Sequence, residues 1–296
     1  MTTTGKSTIL LAACVILASS AGASAQPPDE MISVRTHRLQ MHREGKGTPA
    51  VVFDAGITDQ FDKLEPLAKR IAEVTQVITY NRAGYARSEP GPLTRDAARE
   101  AKELRALLKN ASVPGPYVLV GHSLGALNVM MFAALFPQDV AGMVLLDPPP
   151  LSFLLGKDYK DLAKMADRMT AQWQAVADSC ANATDPRQKA RGAFYQAIAS
   201  EHREMFGATA KRVAGIQSFG EIPLVVMAAG KPNPAFGDIA LEYQKYWIEQ
   251  SRALAGKSGN GTFVLAEGSS HYLYLDVPDL VVQDILSVVN EARARR

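Results

Sequence analysis

The amino-acid sequence predicts an α/β fold, in which a mostly parallel central sheet is flanked by helices and a helical cap is inserted after strand 6. Three observations predict it. Short apolar runs alternate with amphipathic helical segments from about residue 33. The alternation stops between Pro148 and about Gly220, where the pattern is helical only, and it resumes at Leu224. Because strand–helix alternation builds a parallel sheet, the strand-free stretch is expected to form a cap on that sheet.

Each element before the cap has its own signal in the sequence. Residues 32–47 alternate like a hairpin, and Ala50–Asp54 is a nearly continuous apolar run, as expected of a buried parallel strand. The helix after it has Leu64, Leu67 and Ile71 on one face. The remaining predicted elements here are strands 76–80, 117–121 and 142–146, a helix that begins at Thr94, and an apolar helix at 124–135.

The elements of the second half continue the pattern. Residues 159–179 and 186–203 have helical periodicity and belong to the cap, which spans about residues 148–220. The apolar cap residues are expected either to wall the substrate site or to pack the cap's own small core. These apolar cap residues are Phe153, Leu154, Met165, Trp173, Phe194 and Phe206. Strands 224–228 and 262–266 and helices 239–254 and 278–293 then complete the sheet and its cover.

Length and charge limit the classes of function. The chain has 296 residues, of which 47% are hydrophobic, enough for one large core with an inserted subdomain. Its 32 basic and 30 acidic residues give a formal net charge of +2. Because phosphate binding needs a concentrated basic face, nucleic acid is not expected as the main partner.

The first 25 residues are typical of a secretory signal peptide. One lysine precedes an apolar stretch, and Ala23-Ser24-Ala25 forms a cleavage pattern. The apolar stretch is shorter than the ~20 residues that span a bilayer. The sequence therefore predicts an exported periplasmic or secreted protein, with a single mature domain at 26–296 and no stable membrane insertion. The alternative is a lipoprotein anchored through Cys14. Cys180 is the one cysteine of the mature chain, so neither a disulfide within the chain nor a cysteine-based metal site is expected.

A serine lies between a predicted strand and a predicted helix. Gly121-His122-Ser123-Leu124-Gly125 fits the pattern G-x-S-x-G, in which a sharp turn projects the serine oxygen above the sheet. A hydroxyl that only caps the helix is the alternative. The strand before it and the buried helix after it favour a nucleophile, and His122 is interpreted as a packing residue.

A serine nucleophile needs a base. His37 and His42 belong to the N-terminal hairpin, and His202 belongs to the cap. His271 follows the last strand, and loops that follow parallel strands gather at one edge of a sheet. His271 is therefore the predicted base.

Five segments together resemble the α/β-hydrolase fold superfamily, and among its members the secreted bacterial serine hydrolases and esterases. They are VVFDAG at 51–56, NRAGYARS at 81–88, PYVLVGHSLGALN at 116–128, FPQDVAGMVLLDP at 136–148 and EGSSHYLYLDVPDLV at 267–281. The resemblance covers the whole mature chain. It implies esterases, lipases, lactonases, amidases, thioesterases or peroxidases without a cofactor.

The third member of the expected triad has two candidates. In much of the superfamily the acid follows the penultimate strand, and there the first acid of this chain is Asp238. The location used in other members follows the preceding strand, which ends at Asp147 before three prolines. An acid that closes an apolar strand is costly without a partner, which favours Asp147. A turn-forming aspartate is the alternative for Asp147.

The resemblance also implies two oxyanion donors and an activity. The N–H of Leu124 and that of Ile57, in the loop after Ala50–Asp54, are the expected donors. The predicted reaction is acyl transfer from a small or medium apolar ester to water, by Ser123, His271 and Asp147, with no metal or organic cofactor. Lactonase, amidase or peroxidase chemistry on the same residues, or a binding protein without catalysis, are the alternatives.

Overall fold

The computed structural model of the protein describes residues 29–295. The predicted signal segment at 1–25 and Cys14 lie outside the described residues. Within them, no helix is long and apolar enough to cross a membrane.

The core of the molecule is one sheet of eight strands, in the order β1-β2-β4-β3-β5-β6-β7-β8. The pairs β1–β2 and β2–β4 are antiparallel, whereas every pair from β4 to β8 is parallel. The strands are β1 Glu30–Val34, β2 His37–Glu44, β3 Val51–Asp54, β4 Val77–Tyr80, β5 Tyr117–His122, β6 Val140–Leu146, β7 Leu224–Ala229 and β8 Gly261–Ala266. The carboxyl ends of β3 to β8 consequently meet at one edge.

Ten α-helices accompany the sheet in the described part of the chain. They are α1 Glu65–Ala72, α2 Ala97–Asn110, α3 Leu124–Leu135, α4 Leu151–Leu154, α5 Lys160–Ser179, α6 Pro186–Glu204, α7 Ala210–Ala214, α8 Ala240–Ala255, α9 Leu273–Asp276 and α10 Pro278–Ala294. Helices α4 to α7 lie between β6 and β7, so the mostly parallel sheet and the helical insertion after strand 6 are confirmed.

Two apolar cores form on the two faces of the sheet. Along β5, Val118 and Val120 belong to the core that also contains residues of α1 and α10, whereas Leu119 between them belongs to the core that contains residues of α2, α3 and α8. This alternation follows from the period of two residues in a strand. It also explains the continuous apolar runs in the sequence, because both faces of each parallel strand are buried.

Some boundaries differ from those predicted. Helix α2 begins at Ala97 rather than Thr94, because the Asp96 side chain caps it by accepting a hydrogen bond of 2.9 Å from the Arg99 N–H. The cap continues past Glu204 as a π-helical turn at Met205–Thr209 before α7. The hairpin and α3 lie where the sequence predicts them.

Candidate active site

Ser123 occupies a strained turn between β5 and α3. Its backbone has φ 52° and ψ −118°, a combination that is rare outside glycine and costs about 1–3 kcal/mol. The Ser123 N–H donates a 3.0 Å hydrogen bond to the Leu146 carbonyl at the end of β6, which fixes the turn against the neighbouring strand. The serine therefore stands at the carboxyl edge of the sheet, and it is not the ordinary extended residue that caps a helix.

The two glycines of the motif are explained by close backbone contacts. A Cβ on Gly121 would lie 2.5 Å from the Gly125 carbonyl oxygen, and one on Gly125 would lie 2.1 Å from the Asp54 carbonyl oxygen. Neither position has room for any side chain. The motif is thus a consequence of how tightly α3 leaves the sheet beside β3.

His271 and Asp147 are hydrogen-bonded to each other. His271 Nδ1 lies 2.6 Å from Asp147 Oδ2, and the other carboxylate oxygen accepts a 2.9 Å hydrogen bond from the Ala229 N–H. Asp147 is 3% exposed, whereas the side chain of His271 is 30% exposed. Since the Asp147 carboxylate accepts a hydrogen bond from Nδ1–H, the other ring nitrogen, Nε2, is the one available to accept a proton. This is the arrangement that a general base needs.

The other candidate acid lies elsewhere. Asp238 is exposed, in the turn before α8, and it does not belong to the cavity that His271 lines. Asp147 reaches His271 because its backbone turns sharply after β6, with a φ of 48°, while its N–H still donates to the Met227 carbonyl at 2.8 Å. The structure therefore brings Asp147 and His271 together and leaves Asp238 apart.

A cavity of about 440 Å³ joins these residues to the cap. Ser123, His271, Asp147 and Ile57 all line it at the edge of the sheet. Five of the six apolar cap residues named from the sequence form its opposite wall, namely Phe153, Leu154, Met165, Trp173 and Phe206. The sixth, Phe194, packs edge-on against Tyr85 at 5.0 Å instead. The cavity is near the lower end of ligand-site volumes, and its wall is mainly apolar.

The backbone groups expected to hold an oxyanion flank Ser123. Leu124 is the first residue of α3, so its N–H has no acceptor within the helix. The N–H of Ile57 donates to no other group within residues 29–295. The loop of Ile57 lies close to the turn that carries Ser123, since a Cβ on Gly56 would lie 2.8 Å from His122 Nδ1.

His122 makes a hydrogen bond in addition to its packing contacts, a role that the sequence did not reveal. Its Nε2 donates a 2.9 Å hydrogen bond to the His271 carbonyl, and the two rings are 4.6 Å apart. Burial, and next the charge of His271, lower the pKa of His122 well below its ordinary value, so the ring is neutral. His122 therefore supports the backbone that carries the predicted base.

His202 lies in the cap wall of the cavity, and because it is buried, the free energy of unfolding should depend on pH. Its Nδ1 is 2.6 Å from Thr170 Oγ1, and Trp173 packs on it at 5.0 Å. Burial lowers the pKa of His202 to about 4, and the charge of Asp167 only partly opposes this. In the unfolded chain a histidine has a pKa of about 6.5. Between pH 4 and pH 6.5, roughly, the unfolded chain therefore binds more protons than the folded protein.

The free energy of unfolding should therefore fall as the pH is lowered from about 6.5 to about 4, by roughly 2–3 kcal/mol from this group. We expect His202→Asn, whose amide can replace Nδ1 beside Thr170, to remove that part of the pH dependence. Urea unfolding of both proteins at about pH 7 and at about pH 4.5 measures the difference. Parallel pH profiles for the two proteins would contradict this account of His202.

No group of three or more histidine, cysteine, aspartate or glutamate side chains within residues 29–295 is arranged to hold a metal ion. The side chains at the cavity edge include the hydroxyl of Ser123, the imidazole of His271 and the carboxylate of Asp147.

The chain is similar to several known proteins. An uncharacterized protein of Bacillus subtilis strain 168, YqjL, is 27% identical over 240 residues, which cover 81% of this chain and 83% of YqjL. Lipase LipV of Mycobacterium tuberculosis is 34% identical over 152 residues, 47% of this chain and 57% of LipV. A malate-bound thermophilic esterase from Thermogutta terrifontis shares the fold, with a TM-score of 0.64 at 16% identity over 90% of this chain and 99% of the esterase.

The model of the alpha/beta hydrolase family matches residues 47–284, which include Ser123, Asp147, His271 and the whole cap. A match of that extent, together with the observed sheet order and the helical insertion, confirms the family that the sequence motifs predict. The chain belongs to the alpha/beta hydrolase family.

Proposed function

We propose that this hydrolase cleaves small or medium apolar carboxylic esters through an acyl-enzyme on Ser123. The observation that carries the proposal is the 2.6 Å contact between His271 Nδ1 and Asp147 Oδ2, at a cavity that is also lined by a serine with a strained backbone. The lipase and esterase names of two similar proteins are consistent with this class of substrate.

In the first half of the reaction, Ser123 Oγ attacks the ester carbonyl carbon while His271 Nε2 takes the hydroxyl proton. Asp147 accepts the hydrogen bond from Nδ1–H throughout and stabilises the imidazolium that forms. The N–H groups of Ile57 and Leu124 stabilise the negative charge on the carbonyl oxygen. His271 then returns the proton to the leaving alcohol, and the carbon–oxygen bond of the ester breaks.

In the second half, water replaces the alcohol. His271 Nε2 takes a proton from the water molecule as the water oxygen attacks the acyl carbon. The N–H groups of Ile57 and Leu124 stabilise the second oxyanion. The proton passes to Ser123 Oγ as the acyl bond breaks, and the carboxylic acid leaves. The enzyme returns to its starting state with one water consumed.

The cavity wall is the basis for the substrate class. Phe153, Leu154, Met165, Trp173 and Phe206 offer an apolar surface to an acyl or alcohol group, and transfer of such a group from water contributes about 0.8 kcal/mol per buried CH₂. A volume of about 440 Å³ favours small or medium groups over long chains.

A substrate panel on the wild-type protein tests the proposal. We expect hydrolysis of nitrophenyl esters with acyl chains of small and medium length, and covalent labelling by a fluorophosphonate. A preference for lactones, amides or peroxide chemistry would replace the ester class while keeping the same residues. Failure both to turn over any acyl substrate and to react with the probe would overturn the proposal and favour a binding protein.

A further inference from the structure

Arg82 holds the backbone of the loop that carries Ile57. It follows β4 and is almost completely buried, with a side-chain exposure of 2%. Its Nη1 donates hydrogen bonds to the Ala55 carbonyl at 2.6 Å and to Asp54 Oδ1 at 2.7 Å, and its Nη2 donates to the Gly56 carbonyl at 3.0 Å. One guanidinium thus binds two consecutive carbonyl groups and fixes the orientation of both peptide planes.

The Gly56 carbonyl accepts hydrogen bonds from Arg82 Nη2 at 3.0 Å and from the Asp59 N–H at 3.3 Å, and its direction sets where the Ile57 N–H points. The Gly56–Ile57 peptide is trans, so its C=O and N–H point in opposite directions within one plane. Because Arg82 binds the carbonyl from one side, the N–H of Ile57 is directed to the other side. Ile57 lines the same cavity as Ser123, and its N–H has no acceptor within residues 29–295.

The opposite side of the guanidinium is held by the cap. Glu201 of α6, 1% exposed, accepts hydrogen bonds from Arg82 Nε at 2.9 Å and Nη2 at 3.2 Å. The Tyr85 hydroxyl donates a hydrogen bond to Glu201 Oε2 at 2.5 Å and accepts one from Arg82 Nη2 at 3.2 Å. Burial alone would lower the pKa of Arg82. The negative charges of Glu201 and Asp54 raise that pKa well above its ordinary value, so the guanidinium stays charged.

We propose that Arg82 and Glu201 are positioning residues that link the docking of the cap to the orientation of the Ile57 N–H. When α6 is seated, Glu201 fixes the guanidinium, and the guanidinium fixes the Gly56–Ile57 peptide in the orientation that receives an oxyanion. The inference rests on the proposed function, in which that N–H stabilises the transition state. A bidentate arginine suits this role because its donors are held in one rigid plane.

Glu201→Gln tests the link, with Glu103→Gln as its matched control. Glu103 is also a buried carboxylate, and it accepts a 2.6 Å hydrogen bond from Arg95, whose own N–H donates to Ser200 Oγ in α6 at 3.0 Å. Each variant removes one of the two carboxylates that surround a buried arginine beside the same cap helix, because Arg82 also contacts Asp54 and Arg95 also contacts Glu100. Only the Glu201 pair reaches the loop of Ile57.

We expect Glu201→Gln to lower kcat by about 10- to 100-fold with KM changed less than about threefold, because removal of an oxyanion donor costs about 10²–10³ and this donor is displaced rather than lost. The rate of fluorophosphonate labelling should fall in parallel. Glu103→Gln should keep the wild-type kcat even where its melting temperature falls as much. Equal kcat values in the two variants, or a change in KM alone, would overturn the link.

Tyr85→Phe keeps the inference testable if Glu201→Gln does not fold. It removes the hydrogen bond from the Tyr85 hydroxyl to Glu201 Oε2, together with those that the hydroxyl accepts from Arg82 Nη2 at 3.2 Å and from the Thr58 N–H at 3.4 Å, and it leaves every charge in place. We expect a smaller fall in kcat, of about three- to tenfold, again with little change in KM. An unchanged kcat in Tyr85→Phe would count against the link. Absence of turnover in the wild type would instead overturn the proposed function itself.

Discussion

Ser123→Ala is expected to reduce ester hydrolysis by about 10⁶-fold and to abolish covalent labelling by a fluorophosphonate. Alanine removes the only atom that can form the acyl bond, while Gly121, Gly125 and the rest of the turn stay as they are. Kinetic assays with nitrophenyl esters measure the loss of hydrolysis, and gel fluorescence measures the covalent labelling.

The matched control for this variant is Ser179→Ala. Ser179 is the last residue of α5, is exposed, and donates to the Val176 carbonyl within its own helix. It should retain wild-type turnover and labelling, and both variants should melt cooperatively. Undiminished hydrolysis by Ser123→Ala would show that another residue is the nucleophile.

Asp147→Asn is expected to lower kcat by about 10⁴-fold with little loss of stability in the rest of the fold. The amide can still accept the hydrogen bond from the Ala229 N–H through its oxygen, which then turns its NH₂ group toward His271 Nδ1. Nδ1 would have to accept, so the imidazole proton would move to Nε2. Nε2 could then no longer take the proton of Ser123.

Asp238→Asn separates this effect from the general loss of a carboxylate. Asp238 is exposed and outside the cavity, so its replacement should leave kcat and KM near the wild-type values. Steady-state kinetics of the two variants on the same ester give the comparison. A large fall in Asp238→Asn, with Asp147→Asn active, would mean that the loop before α8 supplies the acid during turnover.

The sequence predicts most of the fold because the elements are encoded locally. Apolar runs such as Ala50–Asp54 are long enough to be strands buried on both faces, and the bounds of α3 follow from an apolar run that starts after Ser123. The end of the cap is harder to predict. The π-helical turn at Met205–Thr209 depends on a bend at Gly207, with φ −116° and ψ −110°, which the residue pattern does not specify.

The arrangement of the site depends on contacts between residues far apart in sequence. Asp147 and His271 are 124 positions apart, and the choice between Asp147 and Asp238 needs the direction in which the chain leaves β6. Glu201 is 119 positions from Arg82, and in the sequence it is one of several charges in a helical segment. Its buried position against the loop of Ile57 becomes visible only when the cap is placed on the sheet.

The most direct test of the proposed mechanism is to identify the residue that carries the covalent adduct. The wild-type protein is treated with a fluorophosphonate, digested, and its peptides are sequenced by tandem mass spectrometry. We expect a single phosphonylated residue, Ser123, and a much slower reaction in Asp147→Asn than in Asp238→Asn. An adduct on any other residue, or none on the folded wild-type protein, would contradict it.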